Sequence, residues 1–303
     1  MRTAPTIWMA LLIVLNATVS ATSSAQTIED VQRNFAATKA RFTSIQATLL
    51  THATRTSDAN TTTGLPKNSE WNSTANWAVT RDKITMRGSI GVGIGQPQPA
   101  HPKTSCYIKN GEVVTSVIED LSNKDEPQVI TITRSKKGTM NPLDCGYTLQ
   151  GTWYVDVLAA NKFTIVGTEK NDNFGQLTVL EGTLSDGNKA KLFVAPEFGN
   201  IVVRSELLWN AGKDQSTFVV REVIQRNGIC VPVSSVHIWT RVGAAAAAPV
   251  EIREWILKDI SVGNVKDSVF QLPKLLPWAT IKNDMEGTFS VVELNGKHTI
   301  IGY

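Results

Sequence analysis

Side chains that readily act as nucleophiles, bases or metal ligands are sparse in this chain of 303 residues. None of its histidines or cysteines falls in a metal-binding spacing such as His-Glu-x-x-His or Cys-x-x-Cys. No Gly-x-Ser-x-Gly turn is present to expose a nucleophilic serine, and Cys230 has no adjacent base to activate its thiol. His237 alternates with Trp239 in an apolar stretch, where it is either a polar group inside a cavity or, as we favour, a rim residue. The sequence therefore predicts a protein that is not an enzyme and holds no metal or cofactor.

Aromatic residues are the side chains that we expect to bind a ligand. Aromatic walls suit an acyl chain or another apolar ligand, because they supply a large contact area with few polar atoms. The alternative for each residue is an ordinary place in the core, where many aromatic side chains lie. The candidate residues are Trp71, Trp77, Phe193, Trp209, Phe218, Trp239 and Trp255.

Two arginines join the candidate binding residues. Arg204 and Arg221 lie in stretches that otherwise look buried, so each needs a carboxylate partner or access to water at the mouth of a cavity. Either one of them clamps a ligand head group, or both form structural ion pairs with Glu206 and Glu222. The ion pairs are the interpretation that we favour.

The N-terminal residues are typical of a secretory signal. Arg2 is followed by a short apolar run over residues 7–15, which is too short to span a bilayer, and then by small residues. Cleavage is expected after Ala21 or Ala25, and Ala25 is preferred; an uncleaved interfacial anchor is the alternative. No cysteine near this site offers an attachment point for a lipid. We expect a soluble periplasmic or secreted protein with one domain over residues 26–303.

Export places the cysteines in an oxidising compartment. Cys106 and Cys145 are candidates for a disulfide there, which leaves Cys230 as a buried thiol in an apolar strand. The formal net charge is +3 with both signs mixed along the chain. Because no basic block is dense enough to follow a phosphate backbone, we do not expect a nucleic-acid partner.

One long amphipathic helix is indicated just after the export segment. Thr27 and Asp30 form a variant of the capping box at its start, and the helix is expected over residues 27–44. A second, short helix is expected over residues 151–160. The apolar residues that recur with helical spacing in the first are Ile28, Val31, Phe35, Phe42, Ile45 and Leu49.

Strands and turns dominate the remainder. Asn110-Gly111 predicts a hairpin, and from residue 163 onward successive apolar stretches are separated by short turns, which favours antiparallel neighbours. Several of these strands are apolar on both faces, so something must cover the second face. The expected fold class is α+β, mainly β: a curved antiparallel sheet, a half-barrel of about eleven strands, with the N-terminal helix covering its concave face. The stretches are residues 163–169, 176–183, 190–195, 201–209, 216–225, 231–240 and 250–260.

Two segments resemble a known superfamily. Residues 193–206 (FVAPEFGNIVVRSE) are similar to a strand-turn-strand pattern of the LolA/LolB-like outer-membrane lipoprotein-sorting proteins, and residues 227–232 (NGICVP) are similar to a turn that opens a later strand. The usual proline before the arginine is absent, and the chain is longer than a typical LolA carrier. The resemblance implies a sheet whose internal hydrophobic cavity is closed by helices.

These observations lead to two expectations about function. The first is an exported cell-envelope carrier or chaperone that binds a lipid, a lipoprotein acyl chain or another apolar ligand in the cavity of the sheet and makes transient contact with a membrane surface. The alternative is a non-enzymatic envelope scaffold or sensor that has a filled core and binds a protein partner. An exported hydrolase is the third.

Overall fold

A computed structural model describes residues 26–56, 69–89, 92–93, 103–120, 128–134, 141–242 and 249–302. The expected export segment, residues 1–25, lies outside these ranges. No helix within them is long and apolar enough to cross a membrane.

The described residues form two α-helices, α1 at Ile28–Arg41 and α2 at Tyr154–Ala160. The expected capping box is confirmed, because the Thr27 side chain accepts a hydrogen bond from the Asp30 backbone and the Asp30 carboxylate accepts one from the Thr27 backbone. α1 ends at Arg41, earlier than expected, because the extended chain of the first strand begins at Ser44. Of the apolar side chains at helical spacing, Val31 and Phe35 are the buried residues of the helix itself.

Nineteen strands account for most of the described residues. Three short 3-10 helices, Pro142–Asp144, Pro196–Phe198 and Asp267–Phe270, lie between them. The strands are β1 Ser44–Arg55, β2 Ser69–Thr80, β3 Lys83–Ser89, β4 Val92–Gly93, β5 Lys103–Asn110, β6 Val113–Asp120, β7 Val129–Arg134, β8 Thr148–Leu149, β9 Thr152–Trp153, β10 Lys162–Asn171, β11 Gly175–Thr183, β12 Lys189–Ala195, β13 Ile201–Trp209, β14 Asp214–Arg226, β15 Ile229–Arg241, β16 Pro249–Val262, β17 Thr280–Asn283, β18 Thr288–Val292 and β19 His298–Gly302.

Seventeen of these strands form one curved sheet. Its order runs from β10 to β16 and continues through β1, β2, β3, β5, β6, β7, β17, β18 and β19. β3 and β4 pair with successive stretches of β2, so they share one place in this order. All pairs are antiparallel except β7 with β17. In the described ranges β10 and β19 do not pair with each other, so the sheet is not closed.

The expected antiparallel meander is confirmed over β10 to β16, but the expected number of about eleven strands is wrong. The C-terminal residues supply three further strands, β17 to β19, which extend the sheet beyond β7. β7 and β17 are far apart in the chain, so no local turn signals their pairing, and a parallel pair needs a long connection.

The two faces of the sheet differ in what they carry. We use "aromatic face" for the side toward which Trp77, Phe218, Trp239 and Trp255 point in the strand register, and "opposite face" for the other side. On the aromatic face, Val31 and Phe35 of α1 pack in one cluster with Leu180, Leu192 and Val194. That α1 closes a cavity stays a prediction.

An irregular segment, residues 141–149, is buried at every position. Leu143, Cys145 and Tyr147 of this segment pack with Ile45, Trp77, Val79, Trp255 and Leu257 on the aromatic face. A buried irregular backbone has to satisfy its polar groups internally. The Asn141 side chain accepts a hydrogen bond from the Leu143 backbone at 2.9 Å, which caps the short 3-10 helix that follows. The segment therefore fills one end of the aromatic face.

Candidate functional site

Six of the seven candidate aromatic residues lie on the aromatic face. The register between neighbouring strands places them there: Trp71 and Trp77 on β2, Trp209 on β13, Phe218 on β14, Trp239 on β15 and Trp255 on β16. Phe193 is the exception. Its neighbour Leu192 pairs with Ser205 on the aromatic face, so Phe193 points to the opposite face, where the Arg204 guanidinium lies 3.5 Å from its ring centre.

At the end filled by residues 141–149, which we name the filled end, the candidate tryptophan is part of the core. Trp77 is 1% exposed and packs in the cluster that contains Leu143, Cys145 and Tyr147. Phe42 and Trp153 add an edge-to-face contact with ring centres 5.0 Å apart. For Trp77 this environment favours the structural alternative over ligand binding.

Further along the same strands, aromatic rings lie side by side. The Phe218 and His237 rings stack with centres 4.5 Å apart, and both lie near Trp255, at 6.4 and 6.5 Å. Trp209 and Trp239 form a second pair with centres 6.1 Å apart. We name this region, with Glu251 and Arg253 beside it, the polar end of the aromatic face. It brings together four of the candidate aromatic residues.

His237 differs from the rim residue that the sequence suggested. It is 3% exposed, because its ring is held in the stack with Phe218. Neither ring nitrogen has a hydrogen-bond partner. The pKa of His237 is lowered to about 4, first by burial and second by the Arg253 cation, while Glu251 opposes both. The ring is therefore neutral at pH 7, and it holds buried polar atoms whose hydrogen bonds are unmade.

A buried ion-pair group adjoins this histidine. Glu251 is 3% exposed and accepts one hydrogen bond at each carboxylate oxygen, from Arg55 Nη2 and from Arg253 Nη2, both at 2.7 Å. Arg253 is the direct cross-strand partner of His237. These three charged residues were not among the predicted site residues, although Glu251 and Arg253 alternate in step with Trp255 along a strand that is otherwise largely apolar.

The two candidate arginines lie on the opposite face and take part in ion pairs there. Arg204 pairs with Glu206 at 3.2 Å, as expected, and also with Glu169 at 3.0 Å. Arg221 pairs with Glu254 at 2.6 Å rather than with Glu222. Glu254 lies on the same face of the sheet, two strands away. The sheet therefore separates both arginines from the six candidate aromatic residues of the aromatic face.

The expected disulfide is not formed, and all three cysteines are free. Cys106 packs with Ile130 and Ile281 on the opposite face, whereas Cys145 belongs to the filled end. The sheet lies between the two sulfur atoms, so they cannot meet. Burial raises the pKa of the Cys145 and Cys230 thiols above their usual value, which keeps both protonated at neutral pH. The described residues contain no group of three or more His, Cys, Asp or Glu side chains that would hold a metal ion.

Two surface cavities are lined by described residues. One, of about 520 Å³, lies mainly on the opposite face among Glu181, Lys191 and Glu206. The other, of about 270 Å³, lies near the end of α1 and is lined by Arg41 and Tyr147 among others. Charged side chains are part of the lining of both, and none of the candidate aromatic residues lines either one.

No family model and no curated protein matches the chain. Among solved structures it is similar to a LolA superfamily protein. That protein, from Nitrosomonas europaea, is 12% identical, with 81% of this chain and 98% of the other covered and a TM-score of 0.46. A DUF1329 family protein from Desulfovibrio piger is 8% identical with the same coverage and a TM-score of 0.47. The LolA superfamily is also the one that residues 193–206 and 227–232 resemble. Likenesses at these TM-scores do not bear on what the chain binds.

Proposed function

We propose that this chain is an exported, non-enzymatic carrier of the cell envelope that holds an apolar or amphipathic ligand, such as a lipid or a lipoprotein acyl chain, at the polar end of its aromatic face. The observation that carries the proposal is the pairing of two aromatic groups on one face, Trp209 with Trp239 and Phe218 with His237 and Trp255. Binding sites for small ligands combine apolar and aromatic walls with a few convergent polar groups.

Buried polar atoms at the polar end support the proposal that a ligand binds there. Trp209 Nε1 and both nitrogens of His237 are buried and have no hydrogen-bond partner, whereas Trp239 Nε1 donates to Asp214 at 3.3 Å. A buried polar atom without a partner costs roughly 1–3 kcal/mol. A ligand that offers hydrogen-bonding atoms at this position removes that cost.

The test is uptake of N-phenyl-1-naphthylamine, a neutral fluorophore that brightens in apolar sites, together with native mass spectrometry of the gently purified protein. We expect saturable uptake and co-purified lipid. Trp239→Leu should weaken uptake about tenfold, by analogy with the energy of a lost aromatic contact. Trp278→Leu is the matched control, because Trp278 is 59% exposed and lies outside the aromatic face. A bare mass with no saturable uptake contradicts the carrier.

A scaffold or sensor that binds a protein partner is the second candidate, and two observations favour it. Residues 141–149 fill one end of the aromatic face with the chain's own side chains. Near the C-terminus, Ile300 and Ile301 of the edge strand β19 are more than half exposed. Exposed apolar side chains in a group are typical of interaction sites. A bare mass, no dye uptake and a normal melting transition would favour this candidate over the carrier.

A further inference from the structure

We infer that the ligand's polar end is an anionic head group, a carboxylate or a phosphate, bound between Arg253 and His237 at the polar end of the aromatic face. This inference rests on the proposed carrier function and adds the chemical class of the ligand: an acidic amphiphile rather than a neutral or cationic one.

The geometry of two facing residues is the first step. His237 on β15 and Arg253 on β16 are direct partners in an antiparallel register, and their side chains point to the same face. Side chains in such a pair start roughly 4.5–5.5 Å apart at Cβ. Arg253 Nη2 donates to Glu251, but Arg253 Nε is buried and has no partner. One N–H of the neutral His237 ring is likewise buried and undonated. Two donors without acceptors thus lie next to each other.

Charge is the second step. Glu251 divides its two carboxylate oxygens between Arg55 and Arg253, so its pair with Arg253 is made through a single hydrogen bond at 2.7 Å. A guanidinium presents several donors in one plane and binds a carboxylate or phosphate through two of them. The other buried acid on this part of the face, Asp214, is engaged by Trp239 and Asn210. The unmet donors of Arg253 therefore favour an anion.

The position of these donors suits an amphiphile. The Arg253 side chain is 24% exposed, so a charged head group reaches it without complete loss of water. His237 and Trp255 lie deeper, each 3% exposed, with their rings stacked 6.5 Å apart. A cation is repelled by Arg253, and an alcohol offers one oxygen where a carboxylate offers two acceptors in a fork.

The experiment measures displacement of N-phenyl-1-naphthylamine from the full mature chain by four twelve-carbon compounds: dodecanoate, dodecyl phosphate, dodecanol and dodecyltrimethylammonium. We expect dodecanoate or dodecyl phosphate to bind at least about tenfold more tightly than dodecanol, the size of a charged hydrogen bond at a half-buried site. The anion that binds more tightly shows whether the head group is a carboxylate or a phosphate. The ammonium compound should bind most weakly.

Variants locate the preference. Arg253→Met should make dodecanoate and dodecanol bind alike, and His237→Phe, which keeps a stacked ring but removes the donors, should reduce the preference several-fold. Arg221→Met is the control, because Arg221 is an ion-paired arginine on the opposite face, and it should keep the full preference. Where Arg253→Met folds poorly by circular dichroism, Arg253→Lys keeps the charge and should retain a reduced preference for the anion.

Each outcome separates the inference from the function on which it rests. Equal, saturable binding of dodecanol and dodecanoate to the unmodified chain overturns the anionic head group and leaves a carrier of neutral ligands. An anion preference that survives both Arg253→Met and His237→Phe overturns the assigned residues. No saturable binding of the dye or of any of the four compounds overturns the carrier itself.

Discussion

The filled end and the polar end of the aromatic face lie on the same strands, but their side chains are buried in different ways. Along β16, Leu257 points into the filled end and packs with residues 141–149, whereas Glu251 and Arg253 point into the polar end. Trp255 lies between them and contacts both groups. The difference lies in the residue types at alternate strand positions. Apolar positions recruit a segment of the chain itself, because burying that surface is favourable at about 25 cal/mol per Å². Glu251 and Arg253, the charged residues at the alternate positions, do not belong to that apolar cluster.

Each end also buries a titratable group, and the two groups differ in how well they are satisfied. Asp144, at the filled end, accepts hydrogen bonds from Thr148 at 2.6 Å, from the Gly151 backbone at 2.8 Å and from the Asn141 backbone at 3.2 Å. His237, at the polar end, accepts and donates none. A fully bonded polar group is typical of a structural core, and an unbonded one is a place where a ligand can act.

The largest expected effect separates the two ends by stability. Trp77→Ala leaves a cavity in a packed cluster and should lower the free energy of unfolding by about 3–5 kcal/mol, as large-to-small core substitutions do. Trp239→Ala, at the half-buried polar end, should lower it by about 1–2 kcal/mol. Urea denaturation followed by circular dichroism measures both values. Equal losses of unfolding free energy in the two variants would contradict the distinction between the filled end and the polar end.

Acid should weaken the protein through His237. The folded pKa is about 4 and the ordinary value is 6.5, so the unfolded chain takes up the proton first. The stability that the neutral ring contributes is complete above pH 6.5 and is lost as the pH falls through 4, by about 3 kcal/mol in all. The charged groups that act on the ring are Arg253, which lowers its pKa, and Glu251, which raises it, both from β16.

The measurement is the free energy of unfolding at pH 7, 5.5 and 4 for the parent chain and for His237→Phe. The variant should lose most of the decline between pH 6.5 and 4. His52→Phe, at an exposed histidine of β1, is the control and should keep that decline. A decline of the same size in His237→Phe would show that other groups cause it.

Asp144 should act in the opposite direction and slightly less strongly. Burial raises its pKa from 3.8 to about 6, against the hydrogen bonds that lower it. The folded state therefore holds the proton more tightly, and stability present below pH 3.8 is lost as the pH rises through 6, by about 3 kcal/mol at most. Asp144→Asn should remove this slope, and Asp156→Asn, at an exposed acid, should leave it. An unchanged pH dependence in Asp144→Asn would show that Asp144 is not its cause.

Local signals accounted for the start of the first helix and for several hairpin turns. The capping residues Thr27 and Asp30 start α1 as expected, and Asn110-Gly111 joins β5 to β6. Asn227 and Gly228 both adopt positive φ, at 48° and 74°, which is the backbone conformation of a tight hairpin turn between β14 and β15. These features depend on residues within a few positions of one another, so a sequence pattern contains them.

Features that depend on contacts between residues far apart in the chain could not be predicted from the sequence. Phe193 was grouped with the other aromatic residues, but strand pairing turns it to the opposite face. Cys106 and Cys145 looked like a pair until the sheet placed them on different sides. The burial of residues 141–149 has no periodic signal, because an irregular segment in a core is held by side-chain contacts from many strands.

By itself, the sequence determined the helix start, the hairpins, the meander and the alternation that sets Trp255 in step with Arg253 and Glu251. Only the tertiary structure decided that Glu251 meets Arg55, which is 196 positions away, and that His237 lies buried beside them. The physical reason is the period of the strand. Alternation along a strand determines which residues share a face. The order of the strands in the sheet determines which residues of different strands lie side by side, and that order is set by packing over the whole chain.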